Sequence, residues 1–160
     1  MRHRSPIMLL VSVGLMFVGL VALLAAESTN TPHALAGQLA TLTVRATGFR
    51  NDRGIAQIAL FRNALGFPDH AELAFRTNTM VITNGQVSVD FIGIPFGDYA
   101  ASVLHDENCS GRMDTNWVGM PREGYGVSND ARGKTGTPSF VAARFKLETA
   151  TCSLSVNLSY

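Results

Sequence analysis

Thr79-Met80-Val81-Ile82-Thr83-Asn84-Gly85-Gln86-Val87-Ser88-Val89-Asp90-Phe91-Ile92 is the stretch that decides the fold class. Asn-Gly is the favoured pair for a two-residue type I′ turn, because both central residues of that turn need positive φ. Beyond it Val87, Val89 and Phe91 alternate with Ser88 and Asp90. A period of two puts one face of a strand on a core and the other in water. The pattern predicts strands over residues 79–83 and 86–92, joined as a hairpin.

The same period extends outward in both directions. Upstream, Leu42, Val44 and Ala46 alternate with Thr41, Thr43, Arg45 and Thr47, which predicts a strand over Leu39 to Thr47. Asn51-Asp52-Arg53-Gly54 is turn chemistry, and Ile55 to Arg62 is apolar on both faces, as a central strand should be. Asn63 to Thr77 reads as an irregular segment, with Phe67 tucked against the core and one helical turn within His70 to Arg76. Downstream, a turn at Gly93 to Asp98 leads into a strand from Tyr99 to His105, with Tyr99, Ala101 and Val103 facing inward. Phe140 to Glu148 and Cys152 to Tyr160 complete a count of seven strands. Without a long helix past the leader or an internal repeat, this predicts an all-β, seven-stranded antiparallel sandwich of immunoglobulin-like or transthyretin-like type. One long polar loop then falls between strands five and six.

The chain begins with Arg2, His3 and Arg4, then runs almost unbroken in apolar residues from Ile7 to Ala26. A basic start before an apolar core is the plan of a secretory signal peptide. The run is also close to the ~20 residues that span a bilayer, so an uncleaved N-terminal membrane anchor stands beside it. Residues 1–36 are therefore read as leader plus linker and residues 37–160 as one domain. Either leader places that domain outside the cytoplasm, in the periplasm or the extracellular space. Of thirteen Lys and Arg the leader holds Arg2 and Arg4, and of twelve acids only Glu27, so the domain is charge-balanced. No basic patch provides the localised positive field that nucleic acid requires. The two cysteines, Cys109 and Cys152, allow one disulfide in an oxidising compartment or two separate thiols, with Cys152 buried as a small apolar residue. With no CxxC pair or clustered histidines, they do not make a zinc site.

The chemistry-bearing residues concentrate in His105 to Asp130, HDENCSGRMDTNWVGMPREGYGVSND. Counted from Asp106, its opening places Asp106, Asn108, Ser110, Arg112 and Asp114 at positions one, three, five, seven and nine of a calcium-type loop, with Gly111 at six. Position seven would ligate through its backbone carbonyl, but position twelve is Trp117 instead of a bidentate acid. The competing reading is that these oxygens cap their own turn through backbone N–H groups. Calcium is thus an expected cofactor on one reading and superfluous on the other.

His105 supplies the residue type of a general base, with Asp106 or Asp114 to orient it. No nucleophile elbow or zinc-peptidase motif accompanies it, and alternation puts it on the inward face. His105, Glu107, Trp117, Glu123, Tyr125 and Asn129 are the candidate ligand-binding residues of the loop. For Trp117 the length of the loop favours folding back as a mini-core, since long ordered loops need one.

Phe96-Gly97-Asp98-Tyr99-Ala100, His105-Asp106-Glu107-Asn108, Gly119-Met120-Pro121-Arg122-Glu123-Gly124-Tyr125-Gly126 and Ser128-Asn129 occur together at characteristic spacing. With Pro138-Ser139-Phe140, Ala143 and Tyr160, they make the chain resemble domain-of-unknown-function family 2141, small exported bacterial proteins, from Leu42 to Tyr160. Cys109-Ser110 stands where that family usually has Gly-Asn. The resemblance implies an immunoglobulin-like or transthyretin-like sandwich and an export signal, with no established activity. The expectation is an exported, non-enzymatic binding or accessory module that takes a sugar, a peptide or an envelope protein through its 105–130 loop. Membrane contact would come only through an uncleaved leader. A small hydrolase built on His105 is the alternative.

Overall fold

The computed structural model describes residues 37–133 and 136–160. The leader expected over residues 7–26, and the linker after it, lie outside them. The described residues form eight strands: β1 Leu39–Thr47, β2 Ile55–Phe61, β3 Arg76–Met80, β4 Gln86–Pro95, β5 Gly97–Asp106, β6 Gly124–Val127, β7 Phe145–Leu147 and β8 Thr151–Asn157. One sheet has the order β4-β1-β8 and the other β3-β2-β5-β6, with β7 pairing the start of β5.

The alternation along β1, β4 and β5 delivers one shared core. Leu42, Val44, Val87, Val89 and Phe91 from one sheet pack with Ile58, Leu60, Tyr99, Ala101 and Val103 from the other. Each large side chain fully withdrawn from water there contributes about 1.5–3 kcal/mol relative to exposure. Outside that core, the polar face of the first sheet is laced by Thr43 to Asp90 at 2.7 Å and Thr47 to Asn157 at 2.9 Å.

Four sequence expectations change. The sheets are not wholly antiparallel: β8 runs parallel to β1, with Leu42 opposite Cys152 and Thr47 opposite Asn157. Strand alternation carries no information about neighbour direction, so this was not readable. The Asn84-Gly85 turn forms, with φ of 52° and 70°, and Thr83 and Gln86 exchange both backbone hydrogen bonds at 3.1 and 3.2 Å. It does not join two strands of one sheet. β3 pairs with β2 and β4 with β1, so the turn carries the chain between sheets. The Asp52 carboxylate caps it, accepting from Asn84 N–H at 2.9 Å and Gly85 N–H at 2.8 Å.

The expected strand over Phe140 to Glu148 is a single helical turn, α1 Phe140–Ala143, followed by the short β7. Ser139 starts α1 by accepting from Ala142 N–H. Finally, β6 lies inside what read as continuous loop, pairing Ser102 to His105 with Gly124 to Val127. A four-residue Gly-Tyr-Gly-Val strand carries too little alternation to register. The long loop is thereby shortened to residues 107–123.

Candidate functional site

The loop springs from the end of β5, where consecutive residues point to opposite faces. His105 and Asp106 are both fully buried and go to different places. The His105 ring sits edge-on to Phe49, with centroids 5.2 Å apart. Its Nε2 is 2.8 Å from the Arg53 carbonyl, which can only accept, so Nε2 carries the proton. Nδ1 then accepts from the Tyr160 hydroxyl at 2.6 Å, and that oxygen accepts from Arg50 N–H at 2.9 Å. Both ring nitrogens are engaged, and neither Asp106 nor Asp114 is a partner of the ring.

Asp106 organises the first half of the loop. Its Oδ1 accepts from Ser110 N–H at 2.9 Å, and its Oδ2 accepts from Gly111 N–H and the Gln57 side chain, both at 2.8 Å. Asn108 accepts from Ser110 N–H through Oδ1 and donates to Asp114 through Nδ2 at 2.8 Å. The Ser110 hydroxyl donates to the Arg112 carbonyl at 3.0 Å. The five residues at calcium-type spacing are thus bonded to one another and to the backbone. Oxygens that accept N–H protons have their lone pairs turned to donors, the opposite of a cation cage. Among the described residues no group of three or more His, Cys, Asp or Glu is placed to hold a metal.

A second buried carboxylate, Glu123, organises the far half. It accepts from Glu107 N–H and from Asp114 N–H, each at 3.0 Å, and so ties both limbs of the loop together. Glu107 pairs with Arg50 and accepts from Asn51 at 3.2 Å. Burial pushes its carboxyl up, but the hydrogen bonds from Asn51 and Arg50 and the charge of Arg50 outweigh this and hold it below the usual value. The Arg50 guanidinium also covers the Tyr160 ring, 4.6 Å from its centroid.

β6 supports the loop from behind. A Cβ on Gly124 would lie 2.3 Å from Cζ of Tyr160, and one on Gly126 would lie 2.7 Å from the Asn157 carbonyl. These glycines leave room for the segment after β8, which pairs with β6 as Tyr125 and Ser159 exchange both backbone hydrogen bonds at 2.9 Å. Ser128 and Asn129 are equally structural. The buried Ser128 hydroxyl accepts from Ala101 N–H at 2.9 Å and donates to the Ala143 carbonyl at 2.6 Å. Asn129 donates to the carbonyl of Arg144 at 2.9 Å.

The tip of the loop, residues 115–121, is closed by a bridge between Thr115 and Pro121. Trp117 is 95% exposed, with Val118 and Met120 exposed beside it. The expected Trp117 mini-core does not form, because order comes from hydrogen bonds instead. Asn116 Oδ1 accepts from Val118 N–H at 3.0 Å and Met120 N–H at 2.9 Å. Gly119 N–H reaches the Asn116 carbonyl and Asn116 N–H the Met120 carbonyl, both at 2.9 Å.

Of the six candidate ligand residues, His105 and Glu123 are buried, Glu107 and Asn129 are engaged, Tyr125 is half-buried in β6, and Trp117 alone stands free. Sequence reasoning passed over Arg50, Gln57 and Val118; Asn116, three residues before Gly119, was the available signal for the tip turn. Cys109 is an exposed free thiol in the loop, and Cys152 is a free thiol packed against the core. Cys152 lies opposite Leu42 in the first half of β1, whereas the loop borders Arg50 and Asn51 beyond its other end, so the two thiols do not meet. A hollow between Gln57, Ser102, Arg112 and Tyr125 encloses about 40 Å³, room for a few waters rather than a sugar.

The comparison with protein families matches residues 44–155 to DUF2141, described as an uncharacterized protein conserved in bacteria. The chain belongs to this family. No curated protein and no solved structure matches it. The DUF2141 match spans every residue of the loop, its two carboxylates and its tip.

Proposed function

We propose that this DUF2141 chain is an exported, non-enzymatic binding module, an immunoglobulin-like or transthyretin-like sandwich whose 107–123 loop presents an apolar contact tip. The observation that carries the reading is Trp117, 95% exposed at the apex of a loop whose backbone is bonded to Asp106 and Glu123. Exposed apolar clusters rimmed by polar residues mark interaction sites. A tryptophan is the side chain most enriched among residues that dominate binding. The hydrolytic alternative draws less support, since His105 has no exposed surface and no carboxylate partner. Calcium is not needed to account for the loop's order, because the loop's own backbone N–H groups already bond both carboxylate oxygens of Asp106 and of Glu123.

The test is retention of the full chain on separated envelope fractions: membrane vesicles, isolated cell wall and secreted polysaccharide. Retention on at least one fraction, lost in Trp117→Ala, is expected. Equal retention of both proteins on every fraction would contradict the reading.

A further inference from the structure

β8 is an edge of the first sheet, and its bonding to β1 decides which of its backbone groups are spent. Thr41 N–H donates to the Ala150 carbonyl and Leu158 N–H to the Thr47 carbonyl, both at 2.9 Å. In that parallel ladder the even-numbered residues of β8 turn their N–H and C=O to β1, whereas Thr151, Ser153, Ser155 and Asn157 turn theirs away. At one end the Thr151 carbonyl accepts from the Thr149 hydroxyl at 2.8 Å, and at the other Asn157 N–H donates to Asp130 at 3.1 Å. Between these ends Ser153 and Ser155 are exposed, and no described residue bonds the backbone N–H or C=O of either. The open window is centred on Leu154, which like Cys152 is only half-buried against the core.

The other sheet edges are blunted in the ways that keep edges from pairing. β4 carries Asp90, Pro95 and a register shift against β1. β3 carries Arg76, β7 is three residues long with Lys146, and the outer side of β6 is taken by the Tyr125–Ser159 bridge. β8 has seven residues and no charge, proline or register shift.

We propose that β8 pairs antiparallel with β8 of a second copy of this chain, about a two-fold axis at Leu154. Ser153 and Ser155 of the second copy then exchange both backbone hydrogen bonds, and the axis repeats the exchange. Every open group is used, and neither of the groups bonded to Thr149 and Asp130 is needed. On the core side Leu154 meets Leu154 of the second copy and Cys152 meets its Val156, which covers the half-buried side chains. On the outer side serine meets serine, with no like charges opposed. This self-match, in backbone and in both side-chain rows, selects a second copy over a foreign strand. The loop borders Arg50 beyond the end of β1, to which β8 runs parallel, so the pair sets its two 107–123 loops at opposite ends. The inference goes beyond the binding reading above and does not rest on it.

Facing residues of a non-hydrogen-bonded pair have Cα atoms about 4.5 Å apart, within disulfide reach. The full chain carrying Cys109→Ser, Cys152→Ser and Leu154→Cys is oxidised beside the same background carrying Ser88→Cys, an exposed site on β4, in place of Leu154→Cys. The Leu154→Cys chain should form a covalent dimer about tenfold faster, because pairing raises the effective concentration of its thiols. That dimer should be lost on adding Ser155→Pro, a change that removes only an N–H turned away from β1. In the unsubstituted chain, amide exchange at Ser153 and Ser155 should slow as concentration rises. Equal crosslinking at the two sites, or a dimer that survives Ser155→Pro, would place the association elsewhere and overturn the proposal. So would Ser153 and Ser155 amides that exchange at the same rate at every concentration.

Discussion

The Tyr160 hydroxyl lies 2.6 Å from Nδ1 of His105, so a residue beyond β8 closes the hydrogen-bonding shell of a histidine that has no exposed surface. The pair joins the base of the loop to the segment that pairs with β6. Replacing Tyr160 with Phe leaves Nδ1 without a donor and Arg50 N–H without an acceptor. Tyr160→Phe should lower stability by about 1–2 kcal/mol, read from the denaturant midpoint at unchanged slope.

The steric counterpart is Gly124. Its added Cβ would meet Cζ and Cε1 of Tyr160 at 2.3 and 2.5 Å. Gly124→Ala should therefore displace the ring and cost about 1–3 kcal/mol. Combining it with Tyr160→Ala should cost less than the sum of the two single changes, because the clash goes with the ring. Strict additivity of the midpoints would show that the ring does not rest on Gly124.

Much of this fold was legible because burial on one face writes itself into alternation. Tyr99, Ala101 and Val103 point inward as their spacing requires, and the Asn84-Gly85 turn closes as its chemistry requires. What alternation cannot encode is pairing. Thr79 and Met80 read as the partner of β4, yet they lie on β2, because a two-residue turn constrains only its own bridge. In the loop, Asp106, Asn108 and Ser110 carry the same oxygen spacing whether they face a cation or the backbone. The difference lies in which way the N–H groups of Ser110 and Gly111 point, and that is a property of the backbone path. Trp117 misled for a related reason: Asn116 and two distant carboxylates hold the tip, so the indole is not needed as its core.

Removing the Asp106 carboxylate strands the Gly111 N–H and the Gln57 amide and leaves Ser110 N–H to Asn108 alone. Asp106→Ala should cost about 3 kcal/mol or more, with loss of hydrogen-exchange protection at Ser110 and Gly111 ahead of the β1 and β5 amides. Millimolar calcium or chelator should leave the unfolding midpoint of the native chain unchanged. A calcium-dependent rise, which a ligand bound only by the folded state must produce, would mean that the carboxylates turn outward.

Stability should fall at both ends of the pH scale, for different groups. Burial raises the Tyr99 and Tyr160 phenols above 10.0, with Arg62 and Arg50 respectively pulling them back. The folded state then holds these protons more tightly than the unfolded state. Their contribution is intact below the unfolded value and is lost as pH rises past 10.0. Glu107 has the opposite sign. Burial raises it, the bonds from Asn51 and Arg50 outweigh that, and its folded value lies below 4.5. Its contribution is present above 4.5 and is lost as pH falls through the folded value. Chemical denaturation against pH should show the alkaline limb diminished in Tyr160→Phe and the acid limb diminished in Glu107→Gln.

Two buried carboxylates hold an exposed apolar tip in a fixed position, and Trp117 allows that order to be measured directly. Time-resolved fluorescence anisotropy of the full chain, recorded with and without acrylamide, reads the order and the exposure of that one ring. The expected result is a Trp117 freely quenched by acrylamide whose anisotropy decays mainly with overall tumbling, and which gains fast local motion in Glu123→Gln. A Trp117 shielded from acrylamide, or one that already moves freely in the native chain, would contradict the account.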